Sequence, residues 1–259
     1  MKRHVTSRLV AAVAVFAAVL LALSAQPRGG RAADENPAKE LVKLSVKAAG
    51  GPSNAASWTT RIDKGHLKAN WPGWGELNAT YARWIKKPDK MKIDQDFTAY
   101  DHPFFFTYYI NQGDVWSVVN LGVRQNDRLT KRMSKTMRAI DGLAYYLAEC
   151  DTFYTVASVA DDSLVAASRI DRVGVVDQGD TVVFDLDKKT HLPVRRIEDR
   201  GATHVLFDDY RKVNGLEMPY RMTVHQADGR IEEYVFEEFQ FGGQIDDAVF
   251  EESRPKKKE

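Results

Sequence analysis

Cysteine is almost absent from this chain: Cys150 is the only one among 259 residues. A lone thiol forms no internal disulfide, so the fold holds without covalent staples even in an oxidising compartment. Between Leu147-Ala148-Glu149 and Asp151-Thr152-Phe153 it has no histidine near it in sequence and reads as a small buried hydrophobe. An excess of one charge is missing too. The formal net charge is +1, which points neither to nucleic acid nor to an acidic polymer as partner. His66, His102, His191, His204 and His225 show no H-x-H, H-E-x-x-H or paired-Cys spacing, so no metal centre is expected. There is no G-x-S-x-G nucleophile turn. Gly50-Gly51 follows a helical segment instead of preceding one, which is the wrong order for a phosphate loop. The acid pairs Asp161-Asp162, Glu232-Glu233 and Asp246-Asp247 are sequence neighbours, and on strands neighbours face opposite sides. No catalytic residue, metal ligand or cofactor is assigned, and a non-enzymatic protein is expected.

Long apolar runs are also scarce, with one exception. Leu9–Ala25 carries no charge and follows Lys2, Arg3 and Arg8. It reads as an export signal, cleaved after Ser24 or after Ala32, with an uncleaved membrane anchor as the alternative. The run lacks a following Cys for lipid attachment and a paired arginine before it. Residues 1–33 are therefore expected to be signal peptide and connector. Residues 34–252 form a single domain, and 253–259 a basic tail. Hydrophobic residues at 44% and charged residues at 28% suit a globular domain with a sizeable core.

What the chain has in quantity is strand signal. "TTRIDKGHLKAN", "GELNATYARWIKK", "KMKIDQDF", "FFFTYYI" and "VWSVVN" are rich in β-branched and aromatic residues. Turn residues separate them at Pro72-Gly73, Lys87-Pro88-Asp89, His102-Pro103 and Asn111-Gln112-Gly113-Asp114. Connections this short make antiparallel hairpins, since parallel pairing needs a crossover of a dozen or more residues. Strands resume at "TVVFDLD" and continue through turns at Arg200-Gly201, Asn214-Gly215 and Asp228-Gly229.

Two helical regions interrupt this rhythm. Leu41, Leu44 and Ala48 recur at helical spacing before Gly50-Gly51-Pro52. Leu129, Met133, Met137, Ile140, Ala144 and Leu147 mark a stripe over 126–149, with Gly142 placed to split it. Arg128, Lys131, Arg132, Lys135 and Arg138 occupy the other positions. Core packing with a solvated basic face accounts for this helix, as does a movable lid closing on acyl chains.

The densest charge lies in 185–200. Val182, Phe184 and Leu186 alternate with Val183, Asp185 and Asp187, and Lys188-Lys189-Thr190-His191 makes a turn. Asp185, Asp187, Lys188, Lys189, Arg195, Arg196, Glu198, Asp199 and Arg200 are expected on the wet face and tips of a sheet.

"DLDKKTHLPVR", then "FDDYRKVNGLEMPYRM" and finally "IDDAVFEE" resemble the LolA-like family of outer-membrane lipoprotein-sorting proteins. "KAAGG" and "IKKPDKMKID" fit the same pattern, and the resemblance spans roughly residues 38–252. It implies an α+β, mainly β fold: a strongly curved antiparallel sheet, an unclosed barrel, with helices covering the concave face. It further implies an exported, periplasmic protein that binds a lipid or lipoprotein acyl chain in a hydrophobic cavity, in outer-membrane lipoprotein sorting. An envelope sensor or protein-interaction module of the same fold is the alternative. The expected partners are a lipid or acylated lipoprotein, an envelope protein, and transiently a membrane. Aromatics on both faces of 104–110 exceed what a half-wet sheet needs. A thick core explains them, and so does an apolar pocket, for which Trp84, Phe104, Phe106, Tyr108, Trp116, Met133 and Met137 are the candidates.

Overall fold

The structure, a computed structural model, describes residues 36–254 except 103, 121, 126, 158, 160 and 161. The Leu9–Ala25 run, its cleavage positions, Asp161 and the tail from 255 lie outside the described residues, as do the side chains of 127–129, 132 and 162.

Alternating sequence and tight turns build two antiparallel meanders. The first runs β1 (Thr60–Trp71), β2 (Gly75–Lys86), β3 (Lys90–Asp96), β4 (Phe105–Asn111), β5 (Asp114–Val119) and β6 (Gly122–Arg124). The second runs β7 (Phe153–Thr155), β8 (Ile170–Asp177), β9 (Asp180–Asp187), β10 (Pro193–Glu198), β11 (Thr203–Val213), β12 (Leu216–Gln226) and β13 (Ile231–Phe241). The last strand pairs with the first, Asp63 opposite Phe239, which fuses the meanders into one 13-stranded sheet ending at β6 and β7. Those two edges do not pair, so the sheet is curved but not closed.

A bulge at Lys64/Gly65 shapes the seam. It lets Phe236 and Phe239, three residues apart, face the same side. Only glycine fits there, because a Cβ on Gly65 would stand 2.1 Å from the Val235 carbonyl oxygen.

Four helices belong to the described chain. Asn36 caps α1 (Pro37–Ala48), its Oδ1 accepting from the Ala38 amide at 3.0 Å. Ala38, Val42 and Val46 are its buried stripe, packed with Phe153, Val173 and Val175. The expected stripe is thus rotated: Leu44 is 43% exposed, because the helix is oriented by its contact with the β7–β9 surface. At its end Gly50 abuts the Asn214-Gly215 turn, and Glu217 N–H donates to the Ala49 carbonyl at 3.0 Å. A short α2 (Pro52–Ser57) follows. The region expected over 126–149 divides where Gly142 takes φ +58°, into α3 (Asp127–Arg138) and α4 (Leu143–Glu149). These two carry the chain from the β6 edge to the β7 edge. Cys150 is buried beside α4, and burial raises its thiol pKa.

The wet-face expectation for 185–200 is corrected in its centre. Lys188, Lys189, Asp199 and Arg200 are exposed, but Asp185 and Arg195 are fully buried. Asp185 Oδ1 accepts from Arg172 Nε at 2.5 Å and its Oδ2 from Arg195 Nε at 2.7 Å. Both faces of β8–β10 are covered, so alternation there separates an apolar layer from a buried ionic one instead of core from water. Arg196 and Glu198 sit half-buried on the concave side and pair at 2.7 Å. The D-x-x-T turn is local chemistry: Asp187 Oδ1 accepts from the Lys189 and Thr190 amides at 3.0 and 2.8 Å.

Candidate functional site

Strand register decides which side chains meet inside the curve. Arg61, Asp63, Leu67 and Ala69 of β1 share a face with Tyr81, Arg83 and Ile85 of β2, and these with Ile93 and Gln95 of β3. Tyr108 of β4 continues the row, opposite Ile93. From the other meander come Phe236 and Phe239 of β13, Met222 and Val224 of β12, Val205 and Phe207 of β11, and Phe184 of β9. All of these but Asp63, Leu67, Ala69 and Ile85 border a cavity of about 950 Å³, roofed by Met133 of α3, the Ala139–Asp141 turn and Leu143 of α4. That volume is at the upper end of the roughly 300–1,000 Å³ of small-molecule sites.

The lining is mainly apolar but holds a fixed polar group. Arg61 donates through Nε and Nη2 to the two oxygens of Asp63 at 2.7 and 3.2 Å. Arg83 donates through Nε to Asp63 Oδ2 at 2.7 Å from the neighbouring strand. Asp63 is fully buried and Arg61 is 3% exposed. Burial pulls the Arg61 guanidinium below its ordinary pKa, against the attraction of Asp63. Burial also works against the Arg83 charge, yet Asp63, with Tyr81 and Tyr234, overrides it and holds Arg83 above the ordinary value. Trp58 lies 4.8 Å from the Arg61 guanidinium, and Phe239 and Phe241 flank it at 6.0 and 5.7 Å. Farther along the wall Gln95 donates to the Tyr234 hydroxyl at 3.1 Å, which donates to Glu232 at 2.9 Å. Burial raises the pKa of the Tyr81 phenol.

The candidates from sequence separate into three groups. Tyr108 and Met133 line the cavity. Phe104, Phe106 and Met137 belong to the same core without bordering the void; Phe104 packs on Phe97 with ring centres 4.7 Å apart. Trp84 and Trp116 are corrected, since they lie on the opposite, outer face. There they form a cross-strand row with Lys92 and Tyr109. Tyr109 stacks on Trp116 at 4.9 Å, and the C-terminal segment covers the row through Glu252, which pairs with Lys92 at 2.7 Å. Register places both in line with Tyr109, the neighbour of Tyr108 that faces the other way, and residue numbers on separate strands do not reveal it.

Arg61, Asp63 and Arg83 were not singled out from sequence, although a signal existed. Each falls in the inward phase of its strand, Arg83 between Tyr81 and Ile85. Charged residues in an apolar register are either misassigned or buried with partners.

An open antiparallel sheet curled around a hollow, with helices across the opening, defines the fold class. Among solved structures of this class, a DUF1329 family protein from Desulfovibrio piger superposes with TM-score 0.57 at 14% identity, over 85% of this chain and 99% of that one. A putative outer membrane lipoprotein-sorting protein domain from Vibrio parahaemolyticus gives 0.51 at 12% identity, over 82% and 97%. A LolA superfamily protein from Nitrosomonas europaea gives 0.50 at 10% identity, over 82% and 96%. No family model matches the sequence, and no curated protein does. The fold is LolA-like, as the turn motifs implied.

Proposed function

We propose that this is an exported, non-catalytic protein that binds a lipid, or the acyl chain of a lipoprotein, in the cavity between the curved sheet and α3–α4. The observation that carries the reading is the roughly 950 Å³ hollow under Met133 and Leu143, walled by Ile93, Phe236 and Phe239. Burial of hydrocarbon there releases about 0.8 kcal/mol per methylene, so a chain is held without a reactive group. The likeness of fold to a lipoprotein-sorting domain supports the same reading and suggests outer-membrane lipoprotein sorting as the process. Export is supported by the basic start and the uncharged Leu9–Ala25 run. Among the described residues no helix is long and apolar enough to cross a membrane.

Mass spectrometry of the protein isolated from its native envelope without denaturation tests both halves. The expected result is an N-terminus beyond the apolar run and a retained acyl lipid. Protein that carries no lipid and also fails to bind a hydrocarbon-tailed fluorophore overturns the reading.

A further inference from the structure

We propose that Arg61 and Arg83 form a headgroup site inside the cavity, so that the occupant is an anionic amphiphile whose carboxylate or phosphate lies against this pair. The inference rests on the lipid-binding reading and specifies its ligand.

The first argument is charge. Among the described residues, Arg61, Arg83 and Lys87 pair with two carboxylates: Asp63, and Asp141, which pairs with Lys87 at 2.7 Å. Three cations against two anions leave one positive charge where the surroundings are Trp58, Phe239 and Phe241. An uncompensated charge in such a medium is costly, and an anion entering the cavity removes that cost. The second argument is donor capacity. Each guanidinium has five N–H donors, and Asp63 engages only Nε and Nη2 of each. The third is position. Both arginines border the cavity, and Arg83 retains 14% exposure of its side chain. The rings around Arg61 and the salt bridge beneath both arginines fix their geometry in advance, so little ordering is required on binding. Glu232, a buried acid of the lining, is bonded to Tyr234 and Trp71, a different part of the wall. A ligand with its anion at Arg83 therefore directs its tail toward Ile93, Phe236 and Met133.

Calorimetric titration of the purified protein with dodecanoate, dodecyl phosphate and dodecanol tests this. The expected result is that at least one anion binds about tenfold or more tightly than the alcohol, the worth of a charged hydrogen bond. Whichever anion is tighter identifies the headgroup. In Arg83→Gln, checked for folding by circular dichroism, the preference for anion over alcohol should fall to about threefold or less. Equal binding of anions and alcohol to the parent protein overturns the headgroup site and leaves the lipid cavity standing, whether or not the variant folds. A full preference surviving in Arg83→Gln also overturns it. If none of the three binds, the cavity reading fails with it.

Discussion

Gly65 and Asp185 are the residues on which local geometry bears hardest. With Val235 oxygen 2.1 Å from any added Cβ, Gly65→Ala must push β1 from β13, where the strands of the two meanders pair. Urea unfolding should show a loss of about 3 kcal/mol or more. Gly73→Ala is the control: its φ is +83° but nothing lies within 4 Å, so only backbone strain of about 1 kcal/mol is expected. Asp185 neutralises two arginines where none of the three side chains is more than 5% exposed. Asp185→Ala leaves both cations buried, and the expected cost is about 3–5 kcal/mol in the same experiment. An effect below about 1 kcal/mol would mean that solvent reaches the cluster after substitution.

At the scale of elements, α3 is tied to the second meander through ion pairs. Met133 and Met137 pack it against the core, and ion pairs add to this: Lys135 to Asp180 at 3.0 Å and Asp199 at 2.8 Å, and Arg138 to Asp177 at 3.1 Å. Partly exposed pairs of this kind are worth about 1 kcal/mol or less each. The Lys135 hydrogen bond holds the Asp180 carboxyl below its ordinary pKa. A depressed carboxylate stabilises the folded arrangement above its unfolded value near 4, and the gain disappears as pH falls through the folded value. Amide exchange in α3 should therefore quicken several-fold, by about the worth of one such pair, in Lys135→Ala. After correction for the intrinsic pH dependence of exchange, the parent should show the same loss of protection on going from about pH 6 to pH 3, with the protection of β1 and β13 amides unaffected. Equal quickening throughout the sheet would show that α3 does not open separately.

For the molecule as a whole, the cavity couples stability to occupancy. An amphiphile that binds the folded state alone adds RT ln(1 + [L]/Kd), about 2.7 kcal/mol at a hundredfold excess over Kd. Heating the protein with a saturating dodecyl amphiphile should raise Tm by several degrees, and Met133→Asp, in a folded variant, should reduce the rise. A Tm independent of every hydrocarbon-tailed ligand would count against an enclosed binding space. The fold makes such coupling direct, because the cavity walls come from both meanders, whose strands pair along β1 and β13.

Strand alternation, hairpin turns and a glycine-divided helix were legible because each depends on neighbours within a few residues. The order of strands was not, nor the fact that β9 has no wet face. Asp185 looked like a surface charge because alternation reports two faces but not what covers them. Trp84 and Trp116 looked like cavity residues because aromatic content carries no direction until register assigns it. By itself, the sequence determined the elements, the scarcity of reaction chemistry and the apolar supply for a large interior. Only the tertiary structure decided that Arg61 and Arg83 share Asp63 inside that interior, since their convergence depends on the β1–β2 register and on the curvature that turns one face of the sheet inward.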